Sequence, residues 1–149
     1  MPLTILIADD HRLYADALRA MLRPTYEIVA IAANGQELTE LALQFEPDLI
    51  VTDHSVPRLN GLSAIRALAR RGLHSKFIIL TMHRDVSLAV EAFRSGAAAF
   101  VLKTATRAEF LEALAVVQGG GSYLSSQFSC DLVAVLAEAA RRPAFSDLW

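Results

Sequence analysis

Short apolar runs alternate along this chain with longer stretches in which apolar side chains recur every three or four positions. The first run, Leu3 to Ala8, predicts a strand closed by Asp9 and Asp10. Leu13, Ala17, Leu18, Met21 and Leu22 then follow helical spacing up to Pro24. Ile28 to Ile31 predicts a second strand, and Asn34-Gly35 a turn. A helix through Leu38, Leu41, Ala42 and Phe45 ends before Pro47. Leu49 to Thr52 is a third strand, apolar enough to be buried on both faces. Leu62, Ile65, Leu68 and Ala69 mark a third helix closing near Gly72, and Phe77 to Thr81 a fourth strand. Val86, Ala89, Val90 and Phe93 mark a fourth helix with Gly96 as its C-terminal cap. Ala99 to Leu102 is a fifth strand. Thr106 and Glu109 then form a capping box for a helix that turns Phe110, Leu111, Leu114 and Val117 inward until Gly119.

Strands that alternate with helices in this way predict an α/β fold, a parallel sheet covered by helices on both faces. After Gly121 a sixth helical pattern runs through Phe128, Leu132, Val135, Leu136 and Ala139 and stops at Arg141-Arg142-Pro143. The stretch 122–149 is shorter than the roughly 50 residues of a small domain. It reads as a helix or linker appended to a principal unit of residues 1–121. Phe145, Leu148 and Trp149 suit either a chain cut inside a linker or a tail that docks elsewhere.

Composition narrows the function classes. A chain of 149 residues, 54% of them hydrophobic, has enough material for one domain with a real core. No apolar run approaches the roughly 18 residues of a membrane span. The start, MPLTILIADD, lacks the basic region of a secretory signal. The single cysteine, Cys130, allows no internal disulfide and fits a reducing, cytoplasmic setting. A net charge of −2 leaves no electrostatic footprint for nucleic acid, so no DNA binding by these residues alone is expected.

The candidate chemistry lies at the strand ends, on the sheet edge where open α/β folds build their sites. The stretch LIVTDHSVPRLNG places Asp53 at the end of the third strand, with Pro57 and Gly61 punctuating the loop beyond it. Asp9 and Asp10 end the first strand, Thr81 the fourth, and Lys103 the fifth. Each has an ordinary alternative: a helix cap for Asp9 or Asp10, a turn former for Asp53, a strand residue for Thr81, a solvated charge for Lys103. Their common edge favours a joint role. Lys103 is one of only two lysines, the other being Lys76, in a chain that otherwise uses arginine. Three converging carboxylates repel one another unless a cation sits among them. Oxygen ligands with room for water suit Mg²⁺, and an ammonium and a hydroxyl suit phosphoryl oxygens. Together they make a cradle for phosphoryl transfer.

With these residues in order, the sequence resembles the receiver domain of bacterial two-component response regulators, from Leu3 to about Gly119. The matching features are Asp9-Asp10, the segment D-x-x-x-P-x-x-x-G at Asp53, Pro57 and Gly61, then Thr81 and Lys103. The segments IADDHRLYADAL, LTMH and GAAAFVLK are similar to the NarL/FixJ branch, whose members usually carry a C-terminal helix-turn-helix domain; none is read in these 149 residues. The resemblance implies a flavodoxin-like doubly wound sheet of order 2-1-3-4-5. It implies that Asp53 accepts a phosphoryl group from a sensor histidine kinase. Asp10, Asp53 and the Ser55 carbonyl would hold Mg²⁺, with Asp9 acting through water, and Lys103 would pair with Asp53. Thr81 and Phe100 would be the switch residues, biasing a surface of the fourth helix, fifth strand and fifth helix where a partner or a second copy docks.

The resemblance implies no external turnover substrate, only self-catalysed phosphorylation and dephosphorylation. His54 and Ser55 depart from the family's usual residues beside the acceptor. They, with His83, are candidates for setting acyl-phosphate lifetime, or are simply exposed polar residues. The alternative function is a phosphorylation-independent binding module on the same fold. A cofactor carrier or small enzyme fits less well. There is no P-loop and no G-x-G-x-x-G. A carboxylate pair follows the first strand where a flavin phosphate would want hydroxyls. Asp53 also lacks the D-x-D of aspartyl phosphatases.

Overall fold

The computed structural model describes residues 2–55 and 60–125. Five strands and five helices alternate: β1 (Thr4–Ala8), α1 (Arg12–Leu22), β2 (Glu27–Ala32), α2 (Gly35–Phe45), β3 (Leu49–Asp53), α3 (Gly61–Arg70), β4 (Lys76–Thr81), α4 (Val86–Ser95), β5 (Ala99–Leu102) and α5 (Arg107–Gln118). A sixth strand, β6 (Tyr123–Leu124), follows. All pairings are parallel, in the order β2-β1-β3-β4-β5-β6. The expected order 2-1-3-4-5 is therefore present, with one strand added at its edge.

Pleating sends alternate strand residues to opposite faces, and two cores result. Leu6, Ala8, Ile50, Phe77, Ile79 and Phe100 pack under α2, α3 and α4. Ile5, Ile7, Val51, Ile78, Leu80 and Val101 pack under α1 and α5. β3 is buried along its whole length, as a central parallel strand must be. The helices start where side chains can take the free amides: Asn34, Asn60, Asp85 and Thr106 each accept backbone N–H groups. Gly96 closes α4 at φ +110°, a left-handed turn that other residues adopt at a cost.

Several local features were not given by the periodicity, among them the exposure of Phe45 on α2 and Ala69 on α3. In α1 the buried residues are Ala15, Leu18 and Leu22, while Leu13 is 88% exposed and Ala17 is also exposed. The inward stripe thus begins at Tyr14. Tyr123 and Leu124, where no strand was expected, pair with Ala99 and Phe100. The Tyr123 hydroxyl donates to Glu109 (2.9 Å), so that carboxylate also anchors β6 to α5. Lys76, the second lysine, donates from Nζ to the Val117 carbonyl near the C-terminal end of α5 (2.9 Å), where a cation is favoured. The sixth helical pattern, Cys130 and Pro57 lie outside the described residues. No helix among the described residues is long and apolar enough to cross a membrane.

Gly61 opens α3 directly against β3. A β-carbon there would lie 2.8 Å from the Asp53 carbonyl oxygen and 3.4 Å from the Thr52 side chain. Gly61→Ala must push the loop or the end of β3 aside, and we expect a loss of about 1–3 kcal/mol. Urea denaturation checks it; unchanged stability would mean that the helix start yields freely.

Candidate functional site

The register places the site. Ala8 pairs with Thr52, so Asp9 and Asp53 leave the sheet side by side. Asp53 pairs with Leu80, and Leu80 with Val101. Lys103 therefore lies two residues beyond the level of the acids. The Lys103 amide donates to the Thr81 carbonyl (2.7 Å), which holds the end of β5 against β4. The lysine side chain then reaches back: Nζ is 2.8 Å from Asp9 Oδ2 and 3.1 Å from Asp53 Oδ2. All three side chains are almost completely buried, at 5% exposure for Lys103, 1% for Asp9 and 6% for Asp53. Buried charges of this kind persist only when paired, and this triad pairs them internally. Asp10 lies on the exposed side of the cluster.

Asp9 combines two of the roles its sequence position allowed. Its Oδ1 accepts the His11 amide (2.8 Å) at the start of α1, while its Oδ2 holds Lys103. The Ser55 amide donates to Asp53 Oδ1 (3.3 Å) and so orients the carboxylate. Thr81, on the neighbouring strand, accepts the His83 amide on its Oγ1 (3.1 Å). It follows Phe77 and Ile79 in the alternation, on the sheet face opposite to Asp53. Phe100, fully buried, lies in that same opposite core. His54 Nδ1 lies 3.5 Å from the Ser55 hydroxyl, and both residues are accessible.

Two residues of the cluster have no counterpart in the sequence-based constellation. His11 Nδ1 lies 3.0 Å from Asp9 Oδ1, 3.4 Å from Asp10 Oδ1 and 3.8 Å from Asp53 Oδ2. Ligand atoms of Asp9, Asp10, His11 and Asp53 all fall within 4.8 Å of one another, a donor set that suits a divalent cation. Tyr14 is the second: Lys103 Nζ sits 4.6 Å from the centre of its ring, a cation–π contact. The signal for Tyr14 was its place four residues before Leu18 on the inward stripe of α1.

Burial, with the negative charges of Asp9 and Asp53, pushes the Tyr14 phenol up to about 12 from its usual 10.0. The folded protein thus keeps this proton at pH values where an unfolded tyrosine loses it. The resulting stability is intact below about pH 10 and falls as the pH climbs toward about 12. Tyr14→Phe should flatten that alkaline decline, measured by urea titrations across the interval; an identical slope would contradict it.

This geometry has a family. The chain matches the response regulator receiver domain over residues 5–115. It belongs to that family. Among similar proteins, the transcriptional regulatory protein DegU of Brevibacillus brevis is 32% identical over 131 residues, covering 87% of this chain and 56% of DegU. The nitrate/nitrite response regulator NarL of Escherichia coli K12 is 30% identical over 137 residues, covering 91% of this chain and 63% of NarL. This receiver therefore spans little more than half the length of the curated relatives it matches. Among solved structures, a LuxR-family two-component response regulator from Aurantimonas superposes with a TM-score of 0.80 at 28% identity, covering 95% of this chain and all of that one. The signal receiver domain of a NarL-type regulator from Mycobacterium tuberculosis superposes with a TM-score of 0.77 at 25% identity, covering 80% of this chain and 98% of that one.

Proposed function

We propose that this receiver is a phosphorylation switch in which Asp53 is the acceptor. The observation that carries the proposal is the buried Lys103, bonded to Asp9 and Asp53 at once. A carboxylate oxygen of Asp53 attacks the phosphorus of a phosphohistidine on a sensor kinase. The P–N bond breaks, the imidazole leaves, and an acyl phosphate remains. Lys103 neutralises one of the incoming oxygens, and Thr81 turns its hydroxyl toward another. Asp9, Asp10, Asp53 and the Ser55 carbonyl are the groups that would hold Mg²⁺, which when bound offsets the charge that a phosphoryl group adds to three acids.

Thr81 and Phe100 share the face under α4 and lie opposite the acceptor. Movement of Thr81 toward the phosphoryl group would draw on the packing of Phe100, and so on the α4–β5–α5 surface. Phe100 has no hydroxyl, and its part in the switch is one of packing alone. Dimerisation through that surface, a cytoplasmic setting, and transcriptional control through an output domain joined by residues 122–149 complete the proposal. They are supported by resemblance to regulators whose length this chain only partly covers.

Acetyl phosphate with Mg²⁺, followed by intact mass, tests the switch. One added phosphoryl group supports it; no addition favours a phosphorylation-independent binding module. The lifetime of the acyl phosphate is a separate expectation. Ser55 and His83 are candidates for positioning or obstructing an attacking water, and Ser55→Ala and His83→Ala should each change the half-life by about two- to tenfold, well below the roughly hundredfold or more of a full general acid–base group. Half-lives equal to wild type in both variants would make them ordinary exposed residues.

A further inference from the structure

His11 is the group in the acidic cluster that phosphoryl transfer does not require. We propose that its imidazole is a ligand of the divalent cation, so that the site gains affinity for first-row transition ions, Mn²⁺ among them, relative to Mg²⁺. The inference rests on the proposed cation site and concerns which ion fills it.

Three observations bear on it. The first is spacing. Opposite ligands of one ion with bonds of roughly 2.1 Å stand about 4.2 Å apart, and the four ligand atoms here lie within 4.8 Å of one another. Small side-chain rotations are enough to converge them. The second is placement. His11 is the N-cap residue of α1, its amide is held by Asp9, and it makes no side-chain cap bond. Its backbone is thus fixed while its side chain, 67% exposed, already stands with Nδ1 3.0 Å from Asp9 Oδ1 and 3.4 Å from Asp10 Oδ1. With the ring proton on Nε2, Nδ1 offers a lone pair to the ion. The third is charge. Three carboxylates and one ammonium leave a deficit that a divalent cation fills. A neutral imidazole adds a donor without adding charge.

Oxygen-only sites hold Mg²⁺ and Mn²⁺ alike, whereas an added imidazole nitrogen raises the affinity of first-row transition ions, even of Mn²⁺ at the weak end of the series, over that of Mg²⁺. The consequence is selective: removing the ring should weaken Mn²⁺ binding and leave Mg²⁺, which the carboxylates bind, almost unaffected.

The test uses the full chain with Mn²⁺ alone and Mg²⁺ alone. Pulsed electron paramagnetic resonance of the Mn²⁺-loaded protein should show the coupling of a directly bound nitrogen, and His11→Ala should remove it. By calorimetry, the ratio of Mn²⁺ to Mg²⁺ affinity should fall about tenfold in His11→Ala. Mn²⁺ bound without nitrogen coupling overturns the inference, as does coupling that survives in His11→Ala or a ratio that does not change. Asp10→Ala separates this from the underlying site. If neither ion binds the wild type, or Asp10→Ala binds both unchanged, the cation site itself is lost. If Asp10→Ala weakens both ions while His11→Ala leaves their ratio intact, only the role of His11 is lost.

Discussion

Asp53→Asn should take up no phosphoryl group from acetyl phosphate and Mg²⁺, under conditions in which the wild-type receiver is expected to gain one. The amide keeps the shape of the side chain but has no anionic oxygen to attack phosphorus. In this reading the other acids do not replace it: Asp9 and Asp10 would serve the cation, and only Asp53 stands in the D-x-x-x-P-x-x-x-G segment. Fold and loop should be retained, because the new carboxamide still offers the Ser55 amide an oxygen acceptor. Intact mass reads the result, and peptide mapping of the wild type should place the added group on the segment holding Asp53. Equal labelling of the variant would move the acceptor elsewhere and withdraw the switch.

Lys103→Met should destabilise the receiver by about 3 kcal/mol in chelator, the lower end of the cost of breaking a buried ion pair. Methionine keeps most of the stem but removes the ammonium. Asp9 and Asp53 are then left as two buried like charges with no cation between them, and the contact over the Tyr14 ring is lost. The lower end applies because the triad sits at the rim of the sheet, next to the accessible Asp10 and His11, where water can relieve part of the penalty. Divalent cation should return much of the loss by taking the place of the ammonium, and Asp9→Asn added to Lys103→Met should return part of it by removing one charge. Urea denaturation with and without cation gives all three numbers. A loss under about 0.5 kcal/mol, the scale of an exposed pair, would mean that solvent already screens these acids.

Much of this was written in the order of the residues. The β-strands and helices follow from apolar periodicity because each element must bury one face. The acids, Thr81 and Lys103 announced themselves by ending strands, since parallel strands of one sheet finish at one edge. Other features were not legible. In α1, Leu13 and Tyr14 fit helical spacing almost equally well, and only the packing of the helix on the sheet turned Tyr14 toward Lys103 and Leu13 outward. Tyr123-Leu124 is too short to show a period, and becomes a strand because the free edge of β5 and the Glu109 carboxylate are there to receive it.

The sequence by itself determined the order of elements, the parallel sheet and the residues that meet at its edge. Chain connectivity and hydrophobic patterning are local properties, and they leave few other ways to bury these runs. Tertiary structure alone decided the division of labour across the sheet. Asp9, Asp53 and Lys103 lie with the α1/α5 face, and Phe100 lies under α4. It also decided that His11 stands among the acids. Those outcomes depend on strand register and on the angle at which α1 leaves β1, and both are set by contacts between residues far apart in the chain.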